Sequence, residues 1–165
     1  IVSKKKNNIY VEIEGVKAIT VFDNRWSRPD IKTTQLLPNV LAKTYANEKN
    51  AYEGIFIDHE GYVTEGSSSN IWIINKNNEI LTREIDGKIL SGITRKTISQ
   101  FAKINNFKML EKKFTKDEMI NSKEVFLTSA SSFVTPIIEI DNIKINNGII
   151  GKTSIELREL YFKNF

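Results

Sequence analysis

Cysteine is missing altogether, and histidine occurs once in 165 residues. Without cysteine the chain has no disulfide framework, no thiolate ligands for zinc and no thiol nucleophile. The lone histidine, His59, confines any histidine-based triad to one position, and a metal site would have to be built almost entirely from carboxylates. His59 falls in Asp58-His59-Glu60-Gly61, which reads as an exposed turn, so a serine hydrolase is a remote reading. No apolar run approaches the ~18 residues that a membrane-spanning helix needs. Neither sign of charge dominates: 24 Lys+Arg against 20 Asp+Glu leaves +4, short of the field of a dedicated nucleic-acid binder. Lys4-Lys5-Lys6 reads as a solvated terminus. Neither nucleic acid nor membrane is therefore expected as a partner.

What is present is an ordinary globular composition, 40% hydrophobic and 27% charged. At roughly 100 to 200 residues per domain the chain makes one domain with a real core. The first residues, IVSKKKNN, have no apolar stretch and do not read as a signal peptide. Because the chain opens at Ile1 rather than at Met, its N-terminus is expected to be a cut in a longer protein.

Apolar alternation predicts strands over Asn8 to Glu14 and Lys17 to Phe22, joined at Gly15 as a hairpin. A helix is expected from near Leu37 to Asn50, with Pro38 tolerated in its first turn and Lys32 left on the extended segment before it. Tyr52 to Thr82 reads as an antiparallel meander of short strands, broken at Asp58–Gly61, Gly66–Ser69 and Lys76–Asn78. A second helix spans Thr94 to Asn105, and Thr115-Lys116-Asp117-Glu118 is a capping box opening a short helix to about Asn121. Strands follow at Glu124 to Thr128, Phe133 to Ile140 and Ile143 to Ile145, with Asp141-Asn142 as a tight turn, and a last helix runs from Thr153 to about Phe162. The expected class is α+β, with a mixed, mostly antiparallel or barrel-like sheet flanked by helices.

Four stretches carry candidate chemistry. Ser91-Gly92-Ile93-Thr94-Arg95 puts a glycine and a hydroxyl at a helix start, where unpaired N–H groups favour an anion; an ordinary N-cap is the alternative. Thr128-Ser129-Ala130-Ser131-Ser132 is a hydroxyl-rich turn able to expose donors to an oxyanion, or simply a polar turn. Lys32, in Asp30-Ile31-Lys32 before an apolar helix start, has the setting in which desolvation makes an amine nucleophilic. Glu65 leads from a strand into Gly66-Ser67-Ser68-Ser69-Asn70, a loop small enough for a flat ligand to approach backbone.

These stretches occur together, in order and at similar spacing, in the fold-type IV pyridoxal-phosphate enzymes, with Ile89-Leu90 and Thr135-Pro136-Ile137-Ile138-Glu139-Ile140 extending the likeness. The chain most resembles the C-terminal large domain of the D-amino-acid transaminases of that class, from about Gly15 onward. The resemblance implies residues 1–14 as the end of an interdomain connection with a first strand, and 15–165 as the domain that binds pyridoxal 5′-phosphate. It implies that Lys32 forms the internal Schiff base and shuttles the proton between Cα and C4′. Glu65 would pair with the pyridine nitrogen, Leu90 would pack on the ring, and Ile93 and Thr94 would hold the phosphate. It further implies a cytoplasmic homodimer that moves an amino group from a D-amino acid such as D-alanine to a 2-oxo acid such as 2-oxoglutarate. A branched-chain transaminase, an aminodeoxychorismate lyase or a non-catalytic cofactor-binding fragment are the alternatives.

Two departures bear on this. Ala130 stands where relatives place a hydroxyl in the phosphate cup, so Ser129 or Ser131 must substitute. Leu37 stands five residues after Lys32 where branched-chain transaminases carry tyrosine. The family's small N-terminal domain, with a phosphate-binding arginine and the groups that trap the substrate carboxylate, is expected to lie outside this chain.

Overall fold

The computed structural model describes residues 14–164. The predicted strand Asn8 to Glu14, and with it the predicted hairpin, lies outside the described residues apart from Glu14. Strand β1 (Val16–Phe22) is followed by a polar loop and by helix α1 (Leu37–Glu48), where Pro38 occupies the first turn, the place a missing N–H costs least. β2 (Glu53–Ile57) lies parallel to β1, in register Ala18 with Glu53 through Phe22 with Ile57. β3 (Val63–Gly66) returns antiparallel on β2. β4 (Asn70–Ile74) and β5 (Ile80–Thr82) form a hairpin. Helix α2 (Ile93–Ile104) then carries the chain to β6 (Met109–Glu111), parallel to β5. The short helix α3 (Lys116–Ile120) starts from Thr115, whose hydroxyl and Glu118 close the capping box the sequence announces. β7 (Glu124–Ser129), β8 (Phe133–Ile140) and β9 (Ile143–Lys144) are successive antiparallel strands, and helix α4 (Lys152–Lys163) follows.

The strands make one mixed sheet in the order β3-β2-β1-β8-β7-β4-β5-β6, with β9 on β8. The sheet curls so far that its ends meet: Val63 N–H donates to Phe114 C=O at 3.0 Å, and Tyr62 bridges Thr115. Alternation along the strands sorts the core into two faces. Ile71, Ile73, Val125 and Leu127 fill the inside of the half-barrel with Ile55, Phe114 and Ile137. Trp72, Ile74 and Phe126 point the other way, under Ile98 and Ala102 of α2 and Leu157 of α4. The Trp72 and Phe126 rings stack 5.6 Å apart across the strand pair.

The structure corrects three expectations. The Tyr52 to Thr82 stretch is two hairpins, β2–β3 and β4–β5, rather than one meander, because the serine loop carries the chain from an edge strand to an interior one. Ile145 opens a 3₁₀ turn instead of ending a strand, as Asn146 and Asn147 take left-handed φ of 48° and 57°. Two parallel crossovers, β1–α1–β2 and β5–α2–β6, were not legible as such, and β6 was missed.

Candidate functional site

The loops of the two parallel crossovers, the β3–β4 serine loop and the β7–β8 turn converge on one cavity of about 590 Å³. Lys32, Glu65, Leu90, Ile93, Thr94, Ser129, Ala130 and Ser131 all line it, so the four candidate stretches of the sequence are brought to one place. His59 does not line it and sits exposed on the Asp58–Gly61 turn.

Glu65 is 6% exposed. Its Oε2 accepts the Leu90 N–H at 3.0 Å and the Asn70 amide at 3.2 Å, while Oε1 meets the Arg25 guanidinium. Burial pushes this carboxyl up to about 7, against the opposing pull of Arg25 and the Leu90 N–H. Burial outweighs Arg25, and the repulsion of a second acid on the same guanidinium adds a smaller push in the same direction. Asp23 takes the guanidinium bidentately, Nε to Oδ1 at 2.9 Å and Nη2 to Oδ2 at 2.7 Å, and also accepts the Thr64 hydroxyl at 2.7 Å. Burial raises Asp23 too, but those bonds outweigh it and hold Asp23 below the usual carboxylate range. Two acids thus share one buried guanidinium, and the cluster keeps one negative charge in excess when both are ionised. A cationic donor in the cavity is what would complete it.

Arg25 is the residue the sequence reading missed. It also donates to the Lys88 carbonyl at 3.2 Å and lies 4.6 Å from the centre of the Phe56 ring. Its only sequence signal, an acid two residues away, is shared by Arg28 with Asp30, which pair on the surface. Glu53 was missed as well. Buried to 1% exposure, it gathers the hydroxyls of Ser67, Ser68 (3.3 Å) and Ser69 (2.9 Å) and the Gly54 N–H (3.0 Å). The three serines therefore turn their hydroxyls toward Glu53, and what the loop offers the cavity is backbone.

At the start of α2 no side chain among the described residues caps the helix, which leaves its first N–H groups without an intrahelical partner. Four buried side-chain polar atoms have no partner among the described residues, and three of them belong to residues lining this cavity: Ser91 Oγ, Thr94 Oγ1 and Arg95 Nε. Such a donor set fits an anion such as a phosphate. A Cβ at Gly92 would sit 2.5 Å from Asn70 Oδ1, so a larger residue at this N-cap has to displace the Asn70 amide. Opposite, Ser129 Oγ meets Ser132 Oγ at 2.7 Å and Ser131 Oγ at 3.2 Å, so hydroxyls close around the exposed Ala130.

Lys32 departs from expectation. It is exposed, on a loop whose Ile31 and Leu36 are also 44% and 50% exposed, so the chain as described does not desolvate it. Among the described residues its ammonium has no hydrogen-bond or ion-pair partner.

A curled mixed sheet whose crossover loops enclose an anion-accepting helix start, a buried carboxylate and an unpaired lysine defines a class of protein. Residues 3–140 match the family model of the class IV amino-transferases, and the chain belongs to that family. It is 44% identical over 163 residues to the D-alanine aminotransferase of Staphylococcus aureus (strain N315), a match that covers 98% of this chain and 57% of that protein. The chain thus spans little more than half the length of the curated relatives it matches. A branched-chain amino acid aminotransferase from T.th., solved with pyridoxamine 5′-phosphate, superposes with a TM-score of 0.82 at 30% identity, covering 90% of this chain and 51% of that one. The holo-form of the enzyme from Thermobaculum terrenum gives a TM-score of 0.83 at 26% identity, covering 93% of this chain and 52% of that one.

Proposed function

We propose that residues 15–165 form the cofactor-binding domain of a pyridoxal-phosphate-dependent transaminase that moves an amino group from a D-amino acid such as D-alanine to a 2-oxo acid such as 2-oxoglutarate. The observation that carries this reading is the convergence of Lys32, Glu65, Leu90, Ile93, Thr94 and the Ser129–Ser131 turn, drawn from four separate stretches of sequence, on one cavity. The 44% identity to a D-alanine aminotransferase supports the amino donor. The solved relatives in pyridoxal- and pyridoxamine-phosphate forms support the cofactor. The reading extends, by the family resemblance alone, to a homodimer in the cytoplasm.

When bound, pyridoxal 5′-phosphate supplies an electron-withdrawing ring that stabilises negative charge at the substrate Cα. The chain's own residues do the rest. Thr94 and Ser91, with the first N–H groups of α2, would hold the phosphate, and the Ser129–Ser131 turn would supply hydroxyls in place of the one absent at Ala130. Glu65, ionising once a cation offsets the burial that raises it, would pair with the ring nitrogen and keep it protonated. Leu90, which lines the cavity, would pack against the ring and exclude water. Lys32 would anchor the cofactor aldehyde covalently through Nζ with loss of water and, once the substrate amine has displaced it, would as a free amine carry the proton from the substrate Cα to C4′.

Borohydride reduction of the chain with pyridoxal 5′-phosphate, followed by peptide mapping, tests this. Pyridoxyl is expected on Lys32 and lost in K32A; label at another lysine, or none, rejects the reading. A donor screen with D-alanine and L-leucine separates it from the branched-chain activity named for the solved relatives.

A further inference from the structure

The β7–β8 turn contains a bulky residue in a backbone conformation that side chains avoid. Phe133 has φ of +61°, the left-handed region that costs a non-glycine residue and is rare for aromatics. Such a residue persists only where its surroundings overdetermine it. Here the surroundings come from α4. Arg158 donates through Nη1 to the carbonyls on both sides of Phe133, Ser132 at 3.2 Å and Val134 at 2.6 Å. The Phe133 ring is caught between Tyr161 (5.4 Å) and Phe162 (5.0 Å, edge-on), and the Arg158 guanidinium stacks 4.8 Å above the Phe162 ring. Thr135 Oγ1 shares the Ser132 carbonyl at 3.0 Å. Arg158 is half-buried, and among the described residues no carboxylate pairs with it. Its hydrogen bonds go to that turn.

We infer that Arg158 is a positioning residue which, by clamping the backbone on either side of Phe133, holds the Ser129–Ser132 turn in the shape that faces the cavity. Helix α4 lies beyond residue 140, where the match to the family model ends. The clamp therefore gives the last helix a part in the site without touching the cavity itself. If the left-handed backbone is what Arg158 enforces, glycine at 133 should make Arg158 dispensable, because glycine adopts that conformation without steric cost.

The test is a double-mutant cycle of R158M and F133G on the 165-residue chain, with F133G alone setting the baseline for the lost ring contacts. One readout needs no ligand: hydrogen exchange at the Ser132 amide, which donates to Ser129 Oγ at 3.0 Å. R158M should speed that exchange at least about tenfold in the parent and less than about threefold in the F133G background. The second readout, which rests on the function proposed above, is pyridoxal 5′-phosphate titration, where the dissociation constant should follow the same pattern. Equal effects of R158M in both backgrounds, or none in either, overturn the clamp. If the parent chain binds no pyridoxal 5′-phosphate, the proposed function falls while the clamp is still decided by exchange. Should R158M fail to fold, R158L, which has no donor to replace the Nη1 that reaches both carbonyls, replaces it with the same expectation.

Discussion

Replacing Glu65 with glutamine turns the charge balance of the site into a measurement. In the ligand-free chain the folded state raises this carboxyl from its ordinary 4.5 to about 7, burial outweighing Arg25 and the Leu90 N–H. A raised acid favours the folded state fully below its unfolded value, and the advantage is lost as pH climbs through the folded one. The window is therefore pH 4.5 to 7, and at about 1.36 kcal/mol per pH unit the loss amounts to roughly 3 kcal/mol. Glutamine imitates the protonated acid, accepting from Leu90 and remaining neutral at every pH. The stability of the parent relative to E65Q should thus fall by roughly 3 kcal/mol between about pH 4.5 and 8. In thermal unfolding this is a relative drop of roughly 6 to 12 °C for a chain of this size. Circular-dichroism melts of both proteins at half-unit pH intervals would record it. A difference that stays flat above about pH 5 would show that Arg25 keeps Glu65 ionised despite its burial, refuting the raised carboxyl.

R25M removes the guanidinium that Asp23 and Glu65 share; breaking a buried pair costs about 3 to 5 kcal/mol, and the deficit should grow with pH as both acids ionise, read from urea midpoints at about pH 5 and 8. E53A leaves the hydroxyls of Ser67 and Ser69 and the Gly54 N–H without an acceptor, so a loss of at least about 3 kcal/mol is expected, with E53Q less severe because its amide oxygen still accepts; equal effects would argue against the hub. G92A drives a Cβ to 2.5 Å from Asn70 Oδ1 and should break the Asn70 bonds to Leu90 and Glu65, costing about 1 to 3 kcal/mol and weakening phosphate binding by calorimetry.

Local chemistry made much of this protein legible in its sequence. Thr115 and Glu118 announced a capping box because both partners lie within one turn. Pro38 marked the start of α1 because only the first turn spares a missing N–H. Gly92 and Thr94 marked the start of α2, and the order of the motifs around Lys32, Glu65, Leu90 and Ser129 pointed to the family to which the chain belongs. Pairing between distant strands was not legible, since β3 and β4 look like neighbours until the serine loop is seen to cross from an edge to the interior of the sheet. Charge roles were hidden for the same reason. Asp23–Arg25 and Arg28–Asp30 have the same spacing, yet the Arg25 side chain is 3% exposed beside Glu65 while that of Arg28 is 57% exposed to water. Glu53 is one acid among 20 in the sequence, and only the tertiary structure brings three hydroxyls to it across more than a dozen residues. Sequence spacing fixes which groups can meet along one element, whereas burial and the dielectric it creates depend on every layer packed around them, and those layers exist only in the folded chain.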